Sequence, residues 1–161
     1  MHLPRRVRIQ PDMDMGERLD WFRSECAAAG LPCTHQREVL YRALVEAKDH
    51  PSPEMLYERG KRKIPSISLG TVYRNIKIFL DHGLIGEVSL HHGSLRLEAN
   101  NEPHHHLVCR QCRKMFDLPA AGVHAIRLRR ALPEGFQVER FVVEAHGLCQ
   151  ECAAPKKRRS N

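Results

Sequence analysis

Two Cys-x-x-Cys motifs constrain this chain more than any other feature: one contains Cys109 and Cys112, the other Cys149 and Cys152. Each motif presents two sulfurs from one tight turn, so the two motifs together can form a tetrahedral zinc shell. Residues 113–148 separate them, which is more than a minimal zinc ribbon uses, so zinc would close a whole strand–helix–strand unit. Four thiolates leave no open coordination position, and this predicts a structural metal rather than a catalytic one.

The alternative use of the 6 cysteines is three disulfides. The N-terminus carries positive charges with no apolar segment behind them, so we expect no secretory signal. No apolar run approaches the ~20 residues of a membrane span, and we expect no membrane partner. Thiols in pairs, in a chain without a signal, favour zinc in a reducing cytoplasm over disulfides. Cys26 and Cys33 stand apart and are predicted to be ordinary buried or spare thiols.

The chain is basic, with 161 residues, a net charge of +7 and a pI near 9.3. That length allows one ordinary domain or two small ones. The charge favours a nucleic-acid partner over a merely soluble basic surface, although it does not identify one.

Hydrophobic periodicity predicts four helices in the first half of the chain. The first spans 15–29 and ends before Gly30 and Pro32. Thr34 is a good N-cap for the second, and Ser52 followed by Pro53 begins the third, in the expected order of cap and proline. The fourth spans about 69–81.

The fourth helix has two different faces. Its predicted inward face is apolar and contains Leu69, Val72, Ile76, Phe79 and Leu80. The opposite face combines a small residue, two hydroxyls and two cations, as a helix in a DNA major groove requires; these are Gly70, Thr71, Tyr73, Arg74 and Lys77. Taken alone, the pattern also fits an ordinary amphipathic surface helix.

The residues after the fourth helix favour the DNA-binding interpretation. Residues 84–90 and 94–99 alternate like strands, and 91–93 form a turn between them. Helices followed by a two-stranded hairpin predict the winged-helix variant of helix-turn-helix, with the fourth helix in the groove.

The second half is predicted to be a separate small unit after a polar break at 100–103. It should contain strands at 104–109 and 113–118, a helix near 120–132 and a strand at 136–145. A unit of this size needs more than an apolar core, and a zinc clamp would supply the missing stability. The expected domains are a flexible tail at 1–13, a winged helix at 14–99, a hinge at 100–103, a second domain at 104–153 and a basic tail at 154–161.

A second set of metal ligands is suggested around the break. His104 and His106 are two apart on a predicted strand, so their side chains share a face. Histidines this close also occur in loops that bind no metal. Glu98 before the break and Asp117 on the paired strand add hard ligands, and such a mixed shell suits Fe2+, Mn2+ or Zn2+.

These motifs together resemble the ferric uptake regulator family across about residues 16–153. The resemblance rests on Thr34-x-Gln36-Arg37, Asp49-His50-Pro51, Gly70-Thr71-Val72-Tyr73-Arg74, Arg96-Leu97-Glu98, His104-x-His106-x-x-Cys109-x-x-Cys112 and Cys149-x-x-Cys152. It implies an α+β fold, with a winged-helix DNA-binding domain and a small α/β zinc-clamped dimerisation domain. It also implies a cytoplasmic homodimer that binds a double-stranded DNA operator and represses transcription of metal-homeostasis or peroxide-stress genes when its regulatory metal is bound.

The resemblance also implies roles for single residues. The four paired cysteines match the structural zinc ligands, and the regulatory ligands of iron and peroxide sensors match His50, Glu98, His104, His106 and Asp117. Only the resemblance assigns His50. A further site of some members would fall at Pro103, His105, His124 and Phe141, two of which have no ligating side chain. The peroxide-sensing branch usually has Asp at the position of Glu98, and the zinc-sensing branch often has a cysteine near this hinge, where the chain has none. Neither branch matches in full, so a zinc-sensing uptake regulator is kept as the alternative within the family.

Three other classes of protein fit the sequence less well. A thiol oxidoreductase normally needs one reactive Cys-x-x-Cys near a helix N-terminus, whereas this chain has a full zinc complement of two. A metal hydrolase would need an open metal position and a substrate pocket, and neither can be read from the sequence. A zinc-stabilised RNA-binding protein would be expected to have more aromatic residues for stacking. We expect a regulator and not an enzyme.

Overall fold

The chain divides into a first unit, Met1–Glu102, and a second unit, Pro103–Asn161. The computed structural model describes residues 13–89, 95–100, 103–138 and 141–154. The predicted turn at 91–93, both predicted tails for most of their length and part of the predicted hinge lie outside these residues. Within the described ranges, no helix has the length and apolar character that crossing a bilayer requires.

The first unit contains the four predicted helices, each starting where a side chain caps it. They are α1 (Met15–Ala28), α2 (His35–Val45), α3 (Pro53–Lys63) and α4 (Leu69–Asp81). Asp14 and Glu17 form a reciprocal capping box at α1. Thr34 and Ser52 accept hydrogen bonds from the backbone N–H three residues on, so the two predicted N-caps are confirmed. Ser68 caps α4 in the same way.

Three aromatic rings from three helices form the centre of the core. Phe22 of α1 stacks on Tyr41 of α2 with ring centroids 4.3 Å apart, and Phe79 of α4 meets Phe22 edge-on at 5.5 Å. All three side chains are fully buried. The prediction that Leu69 faces inward is wrong, because its side chain is 39% exposed. It is the first residue of α4, and the buried position that the pattern missed is Asn75.

A two-stranded antiparallel hairpin follows α4, as predicted for a winged helix. It pairs β1 (Gly86–Ser89) with β2 (Leu95–Glu98), in a register that sets Gly86 opposite Glu98. The backbone N–H of Leu97 also donates to the carbonyl of Pro51 at 3.0 Å. The hairpin is therefore attached to the loop that precedes α3.

The second unit is built on a three-stranded sheet with β3 at its centre. Its elements are β3 (His104–Cys109), β4 (Met115–Pro119), a 3-10 turn (Ala120–Gly122), β5 (Glu144–Gly147) and the short helix α5 (Gln150–Ala153). β4 pairs antiparallel with β3, whereas β5 pairs parallel to it. This sheet brings the end of β3 next to the end of β5, just before α5.

Two predicted elements of the second unit are wrong in extent. The helix expected near 120–132 is reduced to the 3-10 turn, and the strand expected at 136–145 is β5, at Glu144–Gly147. Ile126 and Leu128 are two residues apart, so they cannot lie on one helical face, and both are exposed together with Leu132. Without an apolar face to bury, this segment lacks the packing that stabilises short helices.

Truncating the aromatic centre should unfold the first unit more easily. Replacing Phe79 by Ala removes its edge-on contacts with Phe22 and Tyr41 and leaves a cavity, so we expect a loss of about 3–5 kcal/mol in the free energy of unfolding. Leu69→Ala is the matched control on the same helix, with an expected loss of less than about 1 kcal/mol. Urea unfolding followed by the fluorescence of Trp21, the single tryptophan, measures both. Equal losses in the two variants would contradict this core.

Candidate metal centres and nucleic-acid interface

The four paired cysteines meet in the second unit. Cys109 ends β3 and Cys112 lies in the turn after it, while Cys149 caps α5 and Cys152 lies within that helix. The pairing of β3 with β5, which sets Cys109 opposite Gly147, brings the two motifs together. Lys114 and Glu151 add an ion pair at 2.6 Å between the same two segments.

The geometry of this cluster fits zinc. All four Sγ atoms lie within 4.8 Å of one another, and those of Cys112 and Cys149 are 3.6 Å apart. Zinc with Zn–S bonds of about 2.3 Å in a tetrahedron separates its sulfurs by about 3.8 Å, whereas a disulfide bond is only about 2 Å long. All four thiols are free, so their arrangement suits a set of metal ligands better than a pair of disulfides.

One sulfur of the cluster is prepared to be a thiolate. Backbone N–H groups of Cys112 and Cys149 point at Cys109 and lower its pKa to about 6, the second of them donating to Sγ at 3.4 Å. A hydrogen bond with the neighbouring thiol of Cys149, followed by desolvation, raises the pKa of Cys152 to about 12, so the four close sulfurs are not all negative at neutral pH without a cation. A divalent metal would resolve that conflict and release the remaining protons.

A second cluster in the same unit contains two imidazoles and a carboxylate. His104 and His106 lie on one face of β3 with ring centroids 4.7 Å apart, and Asp117 on β4 is the register partner of His106. The Nε2 of His104 lies 3.7 Å from Oδ1 of Asp117. His105 points to the other face, where its Nδ1 accepts the N–H of Val143 at 3.2 Å. The strand thus separates two histidines that can share a metal from one that supports the sheet.

The other two predicted regulatory ligands form a close pair in the first unit, a buried His50 and a half-buried Glu98. His50 Nε2 lies 3.2 Å from Oε1 of Glu98, the last residue of β2. His50 has a backbone φ of 46°, which is uncommon for a residue with a side chain. The guanidinium of Arg96 donates to the His50 carbonyl at 3.4 Å and helps to hold this conformation. Sequence spacing gave no sign of this pair, since 48 positions separate its members.

The predicted DNA-contacting residues of α4 are largely on its outer face. Gly70, Tyr73, Arg74 and Lys77 are exposed, while Thr71 is half-buried and its hydroxyl lies 2.9 Å from that of Ser68. A Cβ built on Gly70 would meet nothing closer than Ser68 Oγ at 3.8 Å, so the packing of the chain itself does not require glycine there. Lys77 forms an ion pair with Asp81 at 3.0 Å.

Sequence reasoning missed two polar contacts that hold α4. The Nε of Arg37 donates to Oδ1 of the buried Asn75 at 3.2 Å, and the amide of Asn75 donates to the Thr71 carbonyl at 2.8 Å. On the outer side, the Tyr73 hydroxyl donates to a carboxylate oxygen of Glu54. An amide on the inward stripe of α4 was the available signal for the first contact, whereas nothing in the pattern indicated the second.

These features define a class of protein: a winged-helix unit joined to a unit that carries a thiol cluster and an imidazole–carboxylate cluster is a metal-dependent DNA-binding regulator. The model of the ferric uptake regulator family matches residues 28–146. A peroxide-responsive repressor, PerR, from Staphylococcus aureus is 31% identical over 124 residues, which cover 77% of this chain and 84% of the relative. The chain belongs to the ferric uptake regulator family, so it is a regulator of transcription and not an enzyme.

Solved structures agree with this assignment. A zinc-bound manganese uptake regulator superposes with a TM-score of 0.65 and 30% identity, covering 79% of this chain and 97% of that one. A zinc uptake regulator in complex with zinc and DNA gives a TM-score of 0.60 and 26% identity, covering 88% and 96%. The predicted α+β fold class is confirmed.

Acid should weaken zinc binding by the cysteine cluster. Near neutral pH, Cys109 with its pKa of about 6 is already ionised, so zinc displaces protons only from the other thiols. Below about pH 6 it must displace the proton of Cys109 as well, and the zinc dissociation constant should rise more steeply as pH falls. Competition with a chromogenic chelator across this pH range measures the constant.

Cys33→Ser is the matched control for that experiment, because Cys33 is exposed and lies in the first unit. It should keep the zinc affinity and the pH dependence of the parent protein, whereas Cys112→Ser should lose most of the affinity. A zinc affinity independent of pH, or loss of zinc in the Cys33 variant, would contradict this assignment of the ligands.

Proposed function

We propose that this chain is a homodimeric repressor whose affinity for operator DNA is controlled by a divalent metal. Zinc would be held by Cys109, Cys112, Cys149 and Cys152 as a structural ion. A regulatory ion would be held by His50, Glu98, His104, His106 and Asp117. The protein would act in the cytoplasm, where its thiols stay reduced.

The observation that carries the proposal is the difference between the two donor sets. Four sulfurs select a soft structural metal and leave no exchangeable position. Imidazoles and carboxylates instead suit Fe2+, Mn2+ or Zn2+ and bind them more reversibly. Two chemically distinct shells in one small chain indicate two separate tasks, one in maintaining the fold and one in responding to the metal supply.

The regulatory set draws ligands from both units, and this suggests how metal would control DNA binding. His50 and Glu98 belong to the first unit, whereas the other three ligands belong to the second. When bound, the ion would supply the positive charge that draws these imidazoles and carboxylates together. The five residues would then favour one arrangement of the units over all others. In a dimer this arrangement would fix the separation of the two α4 helices, which must match successive major grooves. The coupling is reciprocal, so DNA would also raise the affinity for the metal.

An apolar pair on the second unit supports dimerisation there. Leu107 on β3 and Phe116 on β4 are direct cross-strand partners, and both are exposed, by 39% and 41%. Adjacent apolar side chains on one face of a sheet are typical of a surface that another chain covers. A second copy of this unit would bury them.

The DNA-facing set that we propose is Gly70, Thr71, Tyr73, Arg74 and Lys77. Arg74 is exposed and makes no hydrogen bond or ion pair with the described residues, so its guanidinium is available for a base edge or phosphate. The open space at Gly70 would let the DNA approach the helix backbone closely.

Iron(II) or manganese(II) is the regulatory metal that we propose. The full set of imidazoles and carboxylates is present, and the hinge has no cysteine of the kind expected for zinc sensing. The S. aureus relative is named for its response to peroxide, and a structural relative for manganese uptake. Zinc sensing remains the alternative, and the zinc uptake regulator solved with zinc and DNA is a structural relative that supports it.

Removing one imidazole of the regulatory set should abolish the metal response without unfolding the protein. The factor by which metal raises DNA affinity should be at least about tenfold smaller in His104→Ala than in the parent protein, within the usual range of such coupling. The variant should still keep one zinc per chain. The DNA probe is the duplex that the parent protein enriches from a random library in manganese(II). Fluorescence anisotropy at buffered free concentrations of iron(II), manganese(II) and zinc measures affinity and identifies the metal.

His124→Ala is the control for this variant, since His124 is an exposed histidine of the same unit. It should respond to metal as the parent does. A full metal response in the His104 variant would remove these histidines from the mechanism, and equal DNA binding by the parent protein with and without metal would refute the proposed function.

Peroxide sensing can be tested on the ligands themselves. With iron(II) in the regulatory site, the imidazoles of His50 and His104 should gain oxygen when hydrogen peroxide is added, because as ligands they would be next to the redox-active ion. The same protein loaded with manganese(II) should stay unmodified and keep its DNA. Mass spectrometry of the digested protein reports the modification, and intact histidines after DNA release would contradict this form of sensing.

A further inference from the structure

The Tyr73 side chain is fixed by a residue from a different helix. Tyr73 lies on the outer face of α4, where its side chain is 43% exposed. Its hydroxyl donates to Oε1 of Glu54, which lies in the first turn of α3. This hydrogen bond raises the pKa of Tyr73, so the hydroxyl keeps its proton, which it uses in the bond to Glu54, and its oxygen can accept a further hydrogen bond.

Glu54 is itself held in place. Its other carboxylate oxygen, Oε2, accepts the hydroxyl of Ser52 at 2.7 Å, and Ser52 in turn caps α3 by accepting the N–H of Met55 at 3.3 Å. Hydrogen bonds from Tyr73 and Ser52 lower the pKa of Glu54, so the group is a carboxylate at neutral pH. A negative charge in the first turn of a helix is favourable because of the helix dipole. Both oxygens of Glu54 therefore have fixed donors, one of which belongs to α4.

This arrangement has opposing effects on DNA binding. A carboxylate beside the DNA-facing side of α4 repels phosphates, which weakens binding to every sequence equally. A tyrosine hydroxyl whose direction is set before binding loses less freedom when it reaches DNA. Because its proton is used in the bond to Glu54, its oxygen can only accept, so it favours sequences that present a base N–H donor at that position. The ratio of affinities for matched and scrambled DNA cancels the first effect and retains the second.

We propose that Glu54 is a positioning residue for sequence recognition, acting through the Tyr73 hydroxyl. It orients the phenol on the outer face of α4. It lowers the affinity for all DNA and raises the ratio of affinities for matched and scrambled DNA. This inference rests on the proposed function, because it takes α4 as the helix that reads DNA.

A double-mutant cycle tests the inference. The measured quantity is the ratio of affinities for the duplex enriched from a random library and for a scrambled duplex, both in manganese(II) and the same salt. Glu54→Ala and Tyr73→Phe should each lower the ratio about fivefold, the effect expected of one hydrogen bond. The double variant should lower it no further, since either change breaks the same contact. Glu54→Gln, whose amide oxygen can still accept from Tyr73, should keep most of the ratio.

Glu58→Ala is the matched control, because Glu58 is exposed on α3 one turn after Glu54. It should change both affinities by a similar factor and leave the ratio unchanged. Melting temperatures of all variants report on the fold, and the comparison uses variants that melt with the parent protein.

Two results would overturn the inference. One is losses that multiply in the double variant, because Glu54 and Tyr73 would then act independently. The other is an unchanged ratio in Glu54→Ala, because the carboxylate would then act only through its charge. If the parent protein itself shows no metal-dependent preference for any duplex, the proposed function fails, and that outcome is distinct from failure of the positioning role.

Discussion

The contact on which the second unit depends is the meeting of four thiols at the end of β3. Few side chains are buried in this unit; Val108 and Met115 are the main apolar ones in its described part. A zinc cross-link between the turn after β3 and the start of α5 would compensate for so small a core. The same strand carries His104 and His106 at its other end. Anchoring one end of β3 therefore also fixes the position of these two histidines, because they share one strand with Cys109.

The first unit holds α4 from two sides. Phe79 joins α4 to the aromatic centre, and the Arg37–Asn75 hydrogen bond joins it to the start of α2. On the opposite face, Glu54 reaches Tyr73 from α3. A buried polar contact is costly unless its partners are in place, so Arg37–Asn75 favours one rotation of α4 about its axis. The outer contact then sets the direction of a side chain on a helix whose rotation is already determined.

Local patterns predicted the first unit well because its signals are local. Caps such as Thr34 and Ser52, and apolar stripes along α1–α4, lie within a few residues of the structure they specify. The cysteine cluster was equally visible, because each motif is a single turn. The His50–Glu98 contact was beyond such reasoning, since it depends on the hairpin returning to the loop before α3. The helix predicted near 120–132 is too long for the opposite reason. Its apolar residues suggested a buried face, but they lack helical spacing and are exposed in the described part of the chain.

The attachment of β2 to the loop before α3 has a mechanical consequence. Leu97 is bonded to Pro51, Arg96 to the His50 carbonyl, and Glu98 to the His50 ring. Three consecutive residues of one strand are thus hydrogen-bonded to two consecutive residues of the loop, and His50 has an uncommon backbone conformation. A force applied to the His50 ring cannot be absorbed by a slack connection. It would displace the hairpin and the first turn of α3 together, so this corner of the first unit should move as one rigid body.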